Sequence, residues 1–282
     1  MGLIDSLPLT PPIHLYRLQS PGISSTIKVM KNLRKIEPPY VFLWLFFFVF
    51  VAIRITLSMP YWTVLTAEAC GLSIVLLLKA GKPSKKYVLI SVIFAVLSTV
   101  AYLGYQQNPW ILLYGLRAGV PTLLCSLAVF SVMEKRHAYA LISDKGRSPV
   151  LISLLIAVAV GAVLSVVNFF LSGESAAFDF SLWKLLLCLN PAIYEEMACR
   201  AIFMAFCIWY SEDTMDVFRT FTMYFMMCVP HAVVHGFPLV ETMILTLLFG
   251  LPFTIMQKKR DIAGAMISHG IVDAVRFTLT GI

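Results

Sequence analysis

Two carboxylates and a guanidinium stand close together in an otherwise apolar stretch of this sequence. Glu195 and Glu196 are adjacent, and Arg200 follows four residues after Glu196. Residues at i and i+4 share one face of a helix, so Glu196 and Arg200 are expected to pair, while Glu195 points about 100° away. Adjacent carboxylates in a medium of low dielectric do not both ionise cheaply, so one of them is suited to general acid or base chemistry.

Three histidines and an aspartate follow in two later apolar stretches. His231 and His235 are four residues apart in the first, and His269 and Asp273 are four residues apart in the second. A single histidine on an apolar face is usually a core residue, but several ionisable groups at membrane depth are expensive and indicate a functional site. The residues predicted to share this site are Glu195, Glu196, Arg200, His231, His235, His269 and Asp273.

Ionisable residues in the first half of the chain are scattered instead of clustered. Arg54, Glu68 and Arg117 each stand alone in an apolar stretch. We interpret them as helix-end side chains that reach the membrane interface, or as a structural pair of Glu68 with Arg117.

The composition requires a lipid environment. Of 282 residues, 59% are hydrophobic and 13% are charged, against roughly 25% charged in soluble domains. The apolar residues fall in blocks of about 18 or more, which can cross a hydrocarbon core of roughly 30 Å as helices. We therefore predict an all-α, polytopic integral membrane protein with eight or nine transmembrane helices. The candidate blocks are 40–59, 61–78, 87–105, 110–133, 149–171, 182–210, 217–236, 238–257 and 261–281.

Basic residues mark alternate connections between these blocks. They cluster within 79–86, 135–147 and 258–260, whereas 106–109 and 172–181 contain none. We predict a multi-pass protein of the cell membrane, and the positive-inside rule predicts that its N-terminus is cytoplasmic and, with nine spans, that its C-terminus is outside. The predicted regions are a cytoplasmic basic N-terminal tail (1–37), an N-terminal four-helix membrane region (38–148) and a C-terminal catalytic membrane domain (149–282).

Net charge and cysteine content exclude other classes. The net charge is +7, but the basic residues lie in short connections, where they favour lipid headgroups over nucleic acid. The six cysteines lie in apolar stretches without a C-x-x-C pair, so they predict neither a disulfide framework nor a cysteine zinc site.

The motifs resemble those of the CAAX-protease and bacteriocin-processing family of intramembrane endopeptidases, which includes the Ras-converting CAAX endopeptidase. That family shows E-E-x-x-x-R, then F-x-x-x-H, then H-x-x-x-N or H-x-x-x-D, each on its own membrane helix. Glu195, Glu196 and Arg200 match the first motif, and His269 with Asp273 matches the third. The resemblance implies a hydrolase that cleaves a peptide bond within the membrane during protein processing.

The second motif departs from the family pattern. Four residues before His235 stands His231 in place of the usual aromatic residue, and four residues before His231 stands Met227. The spacing to the third motif favours His235, with His231 as the second choice or a contributor. The resemblance covers about residues 150–282, and residues 1–148 resemble no family.

The resemblance also implies roles for the individual residues. Glu195 would activate a water for attack on the scissile carbonyl, and His235 would orient the same water. His269 and Asp273 would line the oxyanion side, while Arg200 would hold the second glutamate. An ionised Asp273 would repel an oxyanion, so it is either protonated or orients His269. In the predicted nine-span topology, His235 lies near the outer end of its helix. The topology therefore predicts that a substrate reaches the site from the outer half of the membrane.

Several alternatives remain open on the residues alone. A glutamate with two histidines is also a zinc ligand set, but H-E-x-x-H is missing and the resemblance implies no metal, so we predict no cofactor. The predicted partners are the lipid bilayer and a membrane-associated or exported protein or peptide substrate. The competing functions are a non-catalytic immunity or regulatory membrane protein of the same fold and a proton-coupled transporter, which would predict inverted repeats.

Overall fold

The computed structural model describes residues 37–56, 61–104, 110–143, 148–172, 178–211 and 215–280. Helices make up nearly all of this part of the chain, and no strand occurs in it. The all-α prediction is therefore confirmed. The predicted N-terminal tail lies outside the described residues apart from Glu37.

Eleven α-helices can be followed through the described residues. The first four are α1 (Pro38–Thr56), α2 (Tyr61–Ala80), α3 (Lys85–Ala101) and α4 (Ile111–Arg136). The others are α5 (Pro149–Ser172), α6 (Leu182–Leu187), α7 (Ile202–Tyr210), α8 (Val217–Val234), α9 (Leu239–Leu245), α10 (Leu251–Lys259) and α11 (Ile262–Thr280). Two π-helical segments, Asn190–Ala201 and Thr246–Gly250, lead directly into α7 and α10.

Seven helical stretches of the described residues are long and apolar enough to cross a membrane. They are Pro38–Thr56, Tyr61–Ala80, Ile111–Arg136, Pro149–Ser172, Val217–Val234, Leu239–Lys259 and Ile262–Leu279. The predicted span 87–105 corresponds to the 17-residue helix α3, and the span 182–210 is divided between α6, the first π-helical segment and α7. An integral membrane protein is confirmed, while a count of eight or nine spans and the orientation stay predictions.

The first π-helical segment occupies the centre of the helical packing. Its residues from Pro191 to Ala201 are all buried, and it contacts α4 on one side and α11 on another. Pro191 is the second residue of this segment and lies in its first turn, where a missing N–H costs no helical hydrogen bond. Asn190-Pro191 therefore marks the boundary between α6 and the helix that follows.

Small residues allow α3 and α4 to pack closely. A Cβ atom at Gly119 of α4 would lie 2.0 Å from the hydroxyl oxygen of Thr99 in α3, and one at Gly115 would lie 2.6 Å from the carbonyl oxygen of Thr99. Glycine at these positions lets the two backbones approach, as is common between membrane helices.

The start of α11 is fixed by the buried carboxylate of Asp261. This carboxylate accepts hydrogen bonds from the backbone N–H of Ser143 at 3.1 Å, from the backbone N–H of Gly264 at 2.7 Å and from the hydroxyl of Ser153. Asp261 thereby joins the 137–143 connection, α5 and the first turn of α11, which carries His269 farther along. The position of the third motif depends on this junction.

Replacement of Asp261 by alanine is expected to destabilise the protein by about 3 kcal/mol, because buried donors would lose their acceptor. Asp261→Asn, which keeps one acceptor oxygen, should cost less. Thermal denaturation in detergent measures the effect. Asp179→Ala is the matched control, since it removes an exposed carboxylate that pairs with Lys184 at 2.7 Å, and such pairs contribute little. Equal denaturation temperatures for Asp261→Ala and the control would contradict the assignment.

Candidate active site

The first π-helical segment carries Glu195, Glu196 and Arg200, and all three are buried. The sequence predicted an α-helix here, whereas the backbone hydrogen bonds follow the i→i+5 pattern. Such segments are rare and occur frequently at functional sites. The wider turn places Asn190 and Glu195, five residues apart, on walls of the same cavities.

Glu196 is held by polar groups from three elements. Arg200 donates to Oε1 of Glu196 as predicted, and Nδ1 of His269 lies 2.7 Å from the same oxygen. The side-chain amide of Gln257 donates to Oε2 at 2.7 Å and to the Glu196 carbonyl at 3.1 Å. Because an ionised carboxylate only accepts hydrogen bonds, Nδ1 of His269 is the donor. Glu196 is fully buried and has little capacity left for a reacting molecule.

Glu195 has a different environment from its neighbour. Its Oε2 lies 2.9 Å from Nε2 of His231 and 3.8 Å from Nε2 of His269. Its side chain keeps 12% of its surface exposed, whereas that of Glu196 has none. The two glutamates therefore have unequal roles: Glu196 is enclosed by donors, and Glu195 faces open space.

The two histidines of α8 stand at different distances from the glutamates. His231 is buried in the last turn of α8, while His235 follows its last residue and is exposed. Helix α8 continues through Pro230 to Val234, so His231 lies within the helix. The geometry favours His231 as the direct partner of Glu195, although the motif spacing had favoured His235.

His269 and Asp273 lie one turn apart on α11, as the third motif predicted. Nε2 of His269 is 3.4 Å from Oδ2 of Asp273. The ring of Phe253 stacks on the His269 ring, with centroids 4.7 Å apart and an interplanar angle of 20°. Packing and hydrogen bonding thus fix both the plane of the imidazole and its rotation.

These side chains face a cavity of about 200 Å³. This volume is well above what a single water molecule requires. The predicted site residues that line it are Glu195, Arg200, His231, His235, His269 and Asp273. The structure therefore brings the predicted residues together, with Glu196 behind the cavity wall as a support.

Sequence reasoning missed two residues of the site. Gln257 supports Glu196, but it directly precedes Lys258 and Lys259 and so resembles an ordinary residue at a membrane interface. Trp62 is the second residue of α2, where aromatic residues commonly mark the interface, yet its ring lies 5.6 Å from that of His231 and 5.5 Å from that of His235. In the sequence, the side-chain amide of Gln257 within an apolar block was a usable indication of a buried polar contact. Nothing in the sequence indicated that Trp62 contacts the two histidines.

Three of the residues could also hold a metal ion. Glu195, His231 and His235 each offer a ligand atom, and these atoms lie within 4.8 Å of one another. One carboxylate and two imidazoles are a known zinc ligand set. The described residues therefore fit a metal by type and by spacing.

The helical membrane fold contains a buried cluster of carboxylates and histidines beside a cavity, which is an arrangement suited to hydrolysis. In a comparison with protein families, residues 177–275 match the family model described as type II CAAX prenyl endopeptidase Rce1-like. The match includes every predicted site residue, from Glu195 to Asp273. The predicted resemblance to the CAAX-protease family is confirmed, and the match supports a CAAX-type intramembrane protease over the regulatory and transporter alternatives. Comparisons with curated proteins and with solved structures gave no match.

Replacement of Gln257 by leucine is expected to lower peptidase activity and to destabilise the protein by about 1–3 kcal/mol, because Oε2 of Glu196 loses its donor in a buried position. Gln257→Glu should be more harmful, since it places a second carboxylate against Glu196. Turnover and thermal denaturation are measured together. Thr254→Val on the same helix is the control, because Thr254 is buried but bonds Cys228 instead of a glutamate. Activity of Gln257→Glu equal to that of the control would refute the supporting role.

Proposed function

We propose that this protein hydrolyses a peptide bond of a membrane-associated or exported protein or peptide, using a water activated by Glu195. The observation that carries the proposal is the contrast between the two glutamates. Glu196 is enclosed by three side-chain donors, whereas Glu195 faces the cavity with one oxygen 2.9 Å from a histidine. Only Glu195 has room to accept a proton from a water in the cavity.

In the proposed reaction, Glu195 takes a proton from the water as the water oxygen attacks the carbonyl carbon. The tetrahedral intermediate then collapses, the C–N bond breaks, and the proton held by Glu195 passes to the leaving amine. The water thus supplies the hydroxyl group of the new carboxylic acid and the proton that the leaving amine gains. His231 orients Glu195 and the water through its short contact with Oε2.

We assign stabilisation of the oxyanion to Nε2 of His269. Nδ1 donates to Glu196 and Nε2 is directed at the cavity and at Asp273, so in this role His269 is an imidazolium that carries an N–H on both nitrogens. The 3.4 Å spacing between Nε2 and Oδ2 of Asp273 supports an orienting role for Asp273. Preorganised donors of this kind act strongly where water is excluded.

The position of the cavity restricts the substrate. The cavity is walled by helices that the composition assigns to the bilayer, and a polypeptide reaches it most readily when it already lies in or on the membrane. A lipid-anchored or membrane-inserted peptide is therefore the expected substrate class.

Replacement of Glu195 by glutamine is expected to reduce kcat by about 10²–10⁴-fold, the usual contribution of a general base. The assay uses purified protein in liposomes and a set of fluorescence-quenched peptides that carry a lipid anchor. Glu241→Gln is the control, because Glu241 is an exposed glutamate in the first turn of α9. Unchanged cleavage by Glu195→Gln would exclude Glu195 as the base, and no cleavage of any peptide by the wild type would count against hydrolysis.

We also propose that the reaction is independent of metal. Treatment with a strong zinc chelator followed by its removal should then leave the turnover unchanged. His231→Ala should lose more activity than His235→Ala, because His231 alone is in direct contact with Glu195. A zinc site would behave differently, since it would lose activity with the chelator, recover it on addition of zinc and depend on both histidines. That pattern, together with bound zinc in elemental analysis, would contradict the metal-free mechanism.

A further inference from the structure

A second cavity adjoins the proposed active site. Its volume is about 620 Å³, which is within the usual range for small-molecule sites. Glu195, Asn190 and Tyr102 line both cavities, so the two spaces meet at the proposed base. A molecule placed with its reacting bond at Glu195 can therefore extend into the second cavity.

Most of the second wall comes from helices that precede the family match. α2 contributes Trp62, Thr63 and Thr66, and α4 contributes Tyr114 and Arg117. Since the family match covers residues 177–275, this wall is a property of the part of the chain that the family model leaves out. We therefore expect substrate selectivity that is particular to this protein to depend on this wall.

Arg117 brings a positive charge into this cavity. Its guanidinium donates a hydrogen bond to the hydroxyl of Thr63 at 3.0 Å and lies 5.9 Å from the centre of the Tyr114 ring. Both contacts are to uncharged groups that also line the cavity. The Arg117 side chain is exposed rather than enclosed, so its remaining donors are available.

The charge of Arg117 has no carboxylate partner in the described part of the chain. The sequence suggested a pair with Glu68, but neither carboxylate oxygen of Glu68 has a hydrogen-bond partner there, and Glu68 lines a different cavity. The Arg117 ion pair is therefore absent among the described residues. A guanidinium that lines a cavity without a carboxylate partner leaves its charge and its donors available to an anionic ligand.

We propose that the second cavity is a substrate subsite in which Arg117 binds a carboxylate of the peptide whose scissile bond lies at Glu195. This inference rests on the proposed function for the placement of the scissile bond. A guanidinium presents paired N–H groups that match the two oxygens of a carboxylate. The carboxylate belongs either to the C-terminus of the peptide or to an acidic side chain.

The remaining lining supports a peptide as the occupant. Trp62, Tyr102, Tyr114 and Tyr194 surround the cavity with aromatic surface, which suits apolar side chains next to an anionic group. The hydroxyl of Tyr194 is 2.5 Å from that of Thr66, so this part of the wall is held in place. Arg117 thus supplies charge selectivity, and the aromatic rings supply apolar contact.

The test measures binding rather than cleavage. Fluorescein-labelled, lipid-anchored peptides of apolar residues are titrated against Glu195→Gln protein in nanodiscs and followed by anisotropy. Each peptide is made with a free C-terminal carboxylate, with a C-terminal amide, and with a C-terminal amide plus one internal glutamate. The protein carries Arg117, Arg117→Lys or Arg117→Gln. Lys79→Gln is the control, because it removes the same charge from an exposed position in the last turn of α2.

Arg117→Gln should weaken binding of a carboxylate peptide at least about tenfold, as expected for loss of a charge-assisted hydrogen bond. Arg117→Lys should recover part of the loss, Lys79→Gln should have no effect, and the plain amide should bind all the variants equally. If Arg117→Gln weakens binding of the peptide with a free C-terminus, Arg117 binds the terminal carboxylate. If it weakens binding of the peptide with the internal glutamate, Arg117 binds the side-chain carboxylate.

Equal weakening of the carboxylate and plain amide peptides would assign Arg117 a structural role and overturn the proposal. Unchanged binding, or no binding of any peptide, would also overturn it. Because no bond is cut in this assay, these outcomes are separate from a failure of hydrolysis. Charge-dependent binding without cleavage by the wild type would support the subsite and refute the proposed reaction.

Discussion

The arrangement of the site depends on the burial of one ionised side chain, Glu196. A carboxylate without contact with water is stable only when its oxygens are matched by donors. Arg200 meets this need from the same helical segment, Gln257 from α10 and His269 from α11. Three elements therefore contact the Glu196 carboxylate, and this contact orients the imidazole of His269. Some of the motif residues that the sequence suggests are catalytic therefore serve to position one another.

Much of this site could be predicted because its spacing reports helical geometry. The i, i+4 relation of Glu196 with Arg200 and of His269 with Asp273 survives in the structure. The π-helical backbone of residues 190–201 was not predictable, because local composition does not distinguish i→i+5 from i→i+4 bonding. The contacts of Gln257 and Trp62 depend on tertiary packing between distant segments, for which a single sequence holds no periodic signal.

The histidine pair illustrates the limit of motif spacing. Family spacing favoured His235, but the helix extends to Val234, and only the residue inside its last turn touches Glu195. Gly236 then takes a left-handed conformation, with φ of 78°, and the chain turns away. The sequence does not define the last residue of a helix to within one or two positions. In α8, the position of this helix end decides which of the two histidines contacts Glu195.

Trp62 has a consequence for how the active centre is assembled. Its ring lies 5.6 Å from that of His231 and 5.5 Å from that of His235, although α2 is far from α8 and α11 in the sequence. The site is therefore complete only when α2, α8 and α11 have packed together. A chain synthesised only as far as α10 lacks His269 and Asp273, so the arrangement of the site cannot be complete before α11 has been made.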